Sequence, residues 1–461
     1  MLNLNDKGVI VYGAGISGCG AAEVLTDRGQ QVFLYNDTPC EIPADLNAAL
    51  TKYNGGLVCD GAASFQKLLG QTGLLVLSPG VPADAPLVQL AESSGLEVIS
   101  EVELAYRLYP GHMAAITGTN GKTTTTTLVG EMFKRLPVKS AVGGNIGLAL
   151  SKEVEHLPAD AWMAAELSSF QLEKVQSFAP DIAVVLNLTP DHLERHHTMA
   201  AYAAAKKKIL TQQKASQYTV LNYDDAEVRT WADASQGQIC YFSRLQTLKS
   251  GVFIQDGKFV IQWKNKRHVV CGVDELHLFG GHNEENVLAA IACGYFAGVS
   301  IDDMADVLRN FKSIEHRLEY ITTINGVPYY NDSKATNTDS TVKALEAFKD
   351  GHIILLAGGH DKMTELEPMM QVIKEKTDLL ILLGAAKERF YKAAVACGVQ
   401  HIQLADSFDD AVNKAYAAAK APQVVLLSPA CSSFDMFKNY PERGRYFKKL
   451  VHELAQKAHN A

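Results

Sequence analysis

The segment from Met113 to Phe133 constrains the fold of this chain more than any other. An apolar run of β type, Met113 to Ile116, feeds Thr117-Gly118-Thr119-Asn120-Gly121-Lys122-Thr123-Thr124, which opens into a helix-like stretch, Thr123 to Phe133. Strand, glycine turn and helix in that order make a phosphate cradle. The glycines let backbone N–H groups close on phosphate oxygens, the helix N-terminus favours negative charge, and a lysine reaches the terminal phosphates. Lys122 is that lysine, and Thr123 would supply a hydroxyl to Mg²⁺. The pattern departs from the usual spacing, because Ile116 stands where a glycine is expected five residues before Gly121. A plain glycine turn with an exposed lysine is the competing reading.

A second glycine turn lies near the N-terminus. Val9 to Tyr12 reads as a strand and runs into Gly13-Ala14-Gly15-Ile16-Ser17-Gly18; a helix-like stretch follows to about Arg28, then a strand, Gln31 to Tyr35, that ends at Asp37. This is a dinucleotide fingerprint with its acidic residue in the expected place. NAD, another diphosphate-bearing ligand, or a glycine used only for close helix packing all remain compatible with it. Strand-like runs at Leu74 to Leu77 and Glu97 to Ile99 suit an α/β unit closing near residue 100.

In the middle third, the run Ala161 to Ala165 ends in Glu166, and Ile182 to Leu186 ends in Asn187-Leu188-Thr189-Pro190-Asp191-His192. Ligands of an open parallel sheet bind at the carboxyl ends of its strands, so Lys122, Glu166 and His192 are expected on one rim. Glu166 is either a Mg²⁺ ligand or a helix-opening glutamate, and His192 either a site residue or the start of a helix. Ala201 to Leu210 reads as a helix whose Lys206-Lys207-Lys208 is, by charge patterning, a solvated basic face. Residues 218 to 273 hold β-like runs without a chemical motif. A helix is expected over 287–297, with Asn283 ahead of it as a cap or an adenine-facing amide. The last third repeats the doubly wound rhythm: four strands end in Asn331-Asp332-Ser333-Lys334, Gly358-Gly359-His360-Asp361-Lys362, Gly384, and Ser428-Pro429-Ala430-Cys431. Four such endings imply a ligand rim.

Composition narrows the classes. The 461 residues suit about three domains, and 43 Lys plus Arg against 51 Asp plus Glu give a net charge of −8. That balance argues against nucleic acid or an anionic membrane as partner. Eight cysteines without a C-x-x-C pair fit free thiols in a reducing compartment. No apolar run approaches a bilayer span, and the polar Met1 to Lys7 stretch lacks the character of a signal peptide.

With these residues assembled, the chain resembles the Mur ligase family along its whole length. The resemblance rests on GTNGKTT, on ELSSFQLE at 166–173, NLTPDHLERH at 187–196, HRLE at 316–319, NDSKATN at 331–337 and LSPACSSFDMFKNYPERG at 427–444. It implies an α/β protein of three domains: Rossmann-like over 1–100, a central P-loop ATPase-like parallel sheet over 101–313, and Rossmann-like again over 314–461. It further implies a cytoplasmic, bacterial, ATP-dependent ligase, expected to be a monomer, that adds D-glutamate to UDP-N-acetylmuramoyl-L-alanine through an acyl phosphate.

The site residues follow from the same resemblance. Ser17, Asp37, Thr38, Ser78, Pro79, Gly80 and Asn145 would contact the sugar nucleotide, with no nicotinamide. Gly118, Thr119, Asn120, Gly121, Lys122, Thr123, Thr124, Asn283, Arg317 and Asp332 would meet ATP. Two Mg²⁺ ions would be held by Thr123, Glu166, His192 and a carbamate on Lys206, which stands fourth after Tyr202; Lys207 or Lys208 would compete if the register were shifted. Lys122, Lys206 and His192 would be catalytic. Lys334, Thr336, Lys362, Ser433, Phe434 and Tyr440 would bind D-glutamate. Met363 after Lys362 and Tyr440 in place of phenylalanine depart from the family pattern and touch only the shape of the amino-acid pocket. The rival readings are another Mur-type or folylpolyglutamate-type ligase, a P-loop ATPase acting as a binding module, and, from residues 13 to 37 alone, an NAD-dependent dehydrogenase.

Overall fold

The computed structural model describes residues 7–278, 280–311, 315–348 and 350–459. The expected boundary at 313 and 314 and the stretch Met1 to Asp6 lie outside the described residues. Two compact units emerge. The first comprises Met1–Leu188, His192–Glu275 and Glu285–Arg309, and the second Thr189–Asp191, Leu276–Glu284 and Asn310–Ala461.

The first unit holds two sheets. One is wholly parallel, in the spatial order Gly56–Val58, Val32–Tyr35, Gly8–Tyr12, Thr72–Leu77, Glu97–Ser100. Its central strands are apolar at successive positions because both faces are covered: Val9, Val11, Leu74 and Val76 enter one core cluster, and Ile10, Tyr12, Leu75 and Leu77 the other. The helix Glu101–Leu108 leads out of this sheet, capped by Ser100, whose hydroxyl accepts from the Glu103 N–H. Glu103 in turn accepts from the backbone N–H groups of Gln176 and Ser177, and Glu101 from the N–H and hydroxyl of Ser151, both at 2.6 Å.

The second sheet has nine strands. Seven run parallel, in the order Gly251–Gln255, Gln238–Ser243, Tyr218–Asn222, Ile182–Val185, His112–Thr117, Trp162–Glu166, Ser140–Gly144, and the antiparallel Lys258–Trp263 and Lys266–Gly272 extend one edge. The helix expected over 287–297 begins earlier and spans Gly281–Ala297. Asn283 therefore lies in its first turn.

The second unit carries a six-stranded sheet in the order Glu319–Ile324, Val327–Asn331, Val424–Leu427, Ile353–Gly358, Thr377–Leu383, Ile402–Leu404, parallel except for its first pair. Its strands also alternate between two cores, Ile353 and Leu355 on one face, Ile354 and Leu356 on the other. The chain is thus an α/β protein dominated by parallel sheets. Among the described residues no helix is long and apolar enough to cross a membrane.

Candidate active site

The strand His112–Thr117 lies between Ile182–Val185 and Trp162–Glu166, with Ile116 beside both Val184 and Glu166. The residues that follow these parallel strands therefore gather at one edge. The glycine loop is closed by Asn187, whose side chain accepts from the Asn120 N–H at 2.8 Å and donates to the Asn120 carbonyl at 3.1 Å. Gly121 caps the helix Lys122–Phe133 in the left-handed region, at φ 85°. A Cβ there would come within 2.1 Å of the Asn286 side-chain oxygen, so only glycine fits. The Lys122 ammonium folds back to donate to the carbonyls of Gly118 and Thr119, at 2.8 and 2.7 Å. Thr123 is half-buried in the first helical turn and Thr124 is buried.

Lys206 corrects the expectation of a solvated basic face. Its side chain is buried, donates to the Gly118 carbonyl at 2.7 Å and lies 4.7 Å from the Tyr202 ring centre. Tyr202 hydroxyl and Thr119 hydroxyl are 3.2 Å apart, which ties the helix Met199–Lys207 to the loop. Its neighbours point elsewhere: Lys207 sits over Trp231, and Lys208 donates to the Glu173 carbonyl, with burial lowering the pKa of its amine.

Glu166 ends its strand buried. One carboxylate oxygen accepts from Asn145 at 2.8 Å, while Oε2 has no hydrogen-bond partner among the described residues. A buried carboxylate oxygen without a partner is costly, and a divalent cation is the partner that suits it. His192 stands at a helix start, one of the two readings the sequence allowed. It opens the short helix Leu193–His196 in a left-handed conformation, φ 55°, and its ring meets Phe170 edge-on at 4.8 Å. His196, which sequence reasoning passed over, is buried against Ser169 at 2.9 Å, and desolvation holds its pKa below the ordinary value.

At the first sheet's carboxyl edge, the Tyr12 hydroxyl donates to both oxygens of Asp37, at 2.8 and 2.9 Å; burial, then Asp37 itself, pushes its phenol pKa upward. The Ser78 hydroxyl donates to the Gly13 carbonyl at 2.8 Å, and a Cβ on Gly18 would meet that same oxygen at 1.8 Å. Glycine is needed here for close helix packing. Thr38 is exposed, with its carbonyl accepting from Asn36, and Ser17, Pro79 and Gly80 border the same turn at least partly exposed.

In the second unit the four strand endings lie side by side. The Asp332 N–H donates to the Leu427 carbonyl, the Gly358 N–H to Pro429, and His360 pairs with Ser432. Asp332 is buried; Ser428 hydroxyl donates to it at 2.8 Å and the Leu318 N–H at 3.2 Å, and burial raises its carboxyl to about 7 against the pull of Arg317. Arg443, unassigned from sequence, is almost wholly buried: its guanidinium donates to the Ser333 hydroxyl and carbonyl and to the carbonyls of Cys431 and Ser432. Burial lowers its pKa to about 10. The Lys334 ammonium lies 5.5 Å from the Tyr440 ring centre, and Lys362 pairs with Asp191 at 3.4 Å. Thr336 and Arg317 are half-buried, Ser433 buried and Phe434 exposed. Asn283 is buried, with its N–H bonded to the Gly280 carbonyl.

Comparison with known proteins bears on both units. The Mur ligase middle domain profile matches residues 116–294, and that of the Mur ligase, glutamate ligase domain, matches 316–431. The UDP-N-acetylmuramoylalanine–D-glutamate ligase of Lachnoclostridium phytofermentans is 41% identical over 98% of this chain and 99% of its own. That of Pelotomaculum thermopropionicum is 42% identical over 97% and 98%. Among solved structures, a pseudomurein peptide ligase type C from Methanothermus fervidus aligns with a TM-score of 0.62 at 17% identity, covering 97% of this chain and 100% of that one. The UDP-N-acetylmuramate-alanine ligase of Thermotoga maritima aligns at 0.58 and 17%, covering 97% and 99%. At such identity the structures speak for the fold alone.

Proposed function

The chain belongs to the Mur ligase family, and from that premise we propose that it joins the amine of D-glutamate to the alanyl carboxylate of UDP-N-acetylmuramoyl-L-alanine, converting ATP to ADP and phosphate. The observation that carries this reading is the 41% identity, over nearly the whole chain, to relatives bearing that ligase name. It serves peptidoglycan precursor synthesis. We assign the sugar nucleotide to residues 1–100, ATP to 101–313 and the amino acid to 314–461, in a monomer of the bacterial cytoplasm with small-molecule partners only.

The chemistry explains the parts. A carboxylate is a poor electrophile, so its oxygen first attacks the γ-phosphorus of ATP, giving an acyl phosphate and ADP. The backbone of Gly118 to Thr124 cradles the phosphates, and the Lys122 ammonium, already beside the loop, neutralises charge as it moves to the leaving oxygen. Thr123 and the free oxygen of Glu166 would hold one Mg²⁺, and His192 with a carbamate on Lys206 a second. Bound there, Mg²⁺ shields the negative charge gathered on the phosphoryl oxygens. The amine of D-glutamate, held by Lys334, Thr336, Lys362, Ser433, Phe434 and Tyr440, then attacks the acyl carbon and phosphate leaves. With substrate labelled by ¹⁸O in the alanyl carboxylate, one label is expected in each released phosphate; unlabelled phosphate would overturn the acyl-phosphate route.

Two ammonium groups sharing one carbonyl oxygen, those of Lys122 and Lys206 on Gly118, repel each other. Carbamylation, in which CO₂ adds to a neutral lysine amine, would turn one of these two cations into an anion. The placement of Lys206, buried against the phosphate loop, supports it as the carbamylated residue over Lys207, which sits over Trp231, and Lys208, which donates to the Glu173 carbonyl. Protein equilibrated with ¹³C-bicarbonate is expected to show a carbamate carbon resonance that survives Lys207→Arg and Lys208→Arg and disappears in Lys206→Arg. A resonance retained in Lys206→Arg would refute the assignment.

A further inference from the structure

Arg195 joins three parts of the first unit that the ligase reading gives separate tasks. It projects from the short helix Leu193–His196, and its guanidinium meets the Glu173 carboxylate with two nitrogens, Nη2 at 2.7 Å and Nε at 3.3 Å. Nη2 also donates to the Val81 carbonyl at 2.9 Å, and Nη1 lies 3.5 Å from that of Pro79. These are the backbone oxygens of the turn after the strand Thr72–Leu77, where the sugar nucleotide is assigned. The same guanidinium stacks over the Phe170 ring at 4.7 Å. Phe170 touches His192 at 4.8 Å and His196 at 5.4 Å, and His196 lies 5.3 Å from Tyr202, which reaches the phosphate loop through Thr119. Glu173 is itself anchored, since its backbone carbonyl accepts from Lys208.

We infer that Arg195, aligned by Glu173, is a positioning residue that fixes the 79–81 turn against the phosphate and metal rim, and so sets the alanyl carboxylate in line with the γ-phosphorus. Arginine is required because one planar group must satisfy a carboxylate through two nitrogens, donate to two carbonyls and present a face to an aromatic ring at once. A lysine ammonium has neither the fork nor the face. A displacement of the order of 1 Å between reacting groups costs about a hundredfold in rate. The effect therefore falls on the sugar nucleotide and on turnover, while ATP and D-glutamate keep their own contacts.

The inference rests on the ligase reading, and the test separates the two. Wild-type phosphate release must first depend on both UDP-N-acetylmuramoyl-L-alanine and D-glutamate; its failure to do so sinks the ligase reading and leaves the Arg195 variants unneeded. Given that dependence, Arg195→Ala is expected to lower kcat/KM for the sugar nucleotide by about a hundredfold, with KM for ATP and for D-glutamate changed less than about twofold. Millimolar methylguanidinium should recover part of the loss in Arg195→Ala and none in wild type. Glu173→Gln, which keeps the shape and removes the charge, should give the same pattern more weakly, and Arg195→Lys serves if the alanine variant does not fold. Equal shifts in all three KM values, unchanged kinetics, or no recovery with methylguanidinium would overturn the inference.

Discussion

Replacing Lys122 by methionine should lower kcat by about a thousandfold, the scale of removing one charge-stabilising donor from a transition state. The KM values for the sugar nucleotide and D-glutamate should stay within about twofold, because the effect belongs to transferring phosphoryl charge and not to substrate docking. In the structure the Lys122 ammonium satisfies the carbonyls of Gly118 and Thr119. Its loss also removes two hydrogen bonds, each worth about 1 kcal/mol net, so a small drop in thermal midpoint accompanies the large kinetic loss. Steady-state kinetics beside a melting curve distinguish the two effects. A kcat reduced less than about tenfold would mean that the loop backbone, and not Lys122, stabilises the moving charge.

The largest stability loss should come from Arg443→Leu, at about 2–5 kcal/mol. The guanidinium is buried and has no carboxylate in a salt bridge with it among the described residues; it is held by the carbonyls of Ser333, Cys431 and Ser432 and the Ser333 hydroxyl. Leucine matches part of its volume and takes the donor from the buried carbonyls of Ser333 and Cys431, each at about 1–3 kcal/mol, while the Ser432 carbonyl keeps the His360 N–H. Because these oxygens belong to the endings of two adjacent parallel strands, Val327–Asn331 and Val424–Leu427, the same change should weaken D-glutamate binding. Urea unfolding with Arg443→Lys as the partial-recovery control measures it. A loss under about 1 kcal/mol would show that the loops hold their shape without the charge.

The sheets were legible because buried parallel strands are apolar at every position, as Val9 to Tyr12 and Ile353 to Ala357 are, and because each ends in small or charged residues. What escaped was of two kinds. Gly56–Val58 and Ile402–Leu404 are edge strands of three residues, too short to carry a pattern. The helix at Gly281–Ala297 starts in glycine, histidine and asparagine, which hide its first turn. The burial of Lys206 was invisible to charge patterning, since the carbonyl oxygen to which it donates lies 88 residues earlier in the chain. Asn187, Arg195 and Arg443 were missed for the same reason: an amide or guanidinium looks ordinary until its partners arrive from elsewhere. Asn187 carried the nearest thing to a signal, an amide placed directly after a strand beside the phosphate loop.

The central claim is tested most directly by phosphate release from ATP and Mg²⁺ in the presence of UDP-N-acetylmuramoyl-L-alanine, with D-glutamate, L-glutamate, L-lysine, diaminopimelate and no amino acid run in parallel. The account predicts release only with D-glutamate, matched one to one by a nucleotide product heavier by a glutamyl residue. Release that proceeds equally with every amino acid, or with none, would contradict it.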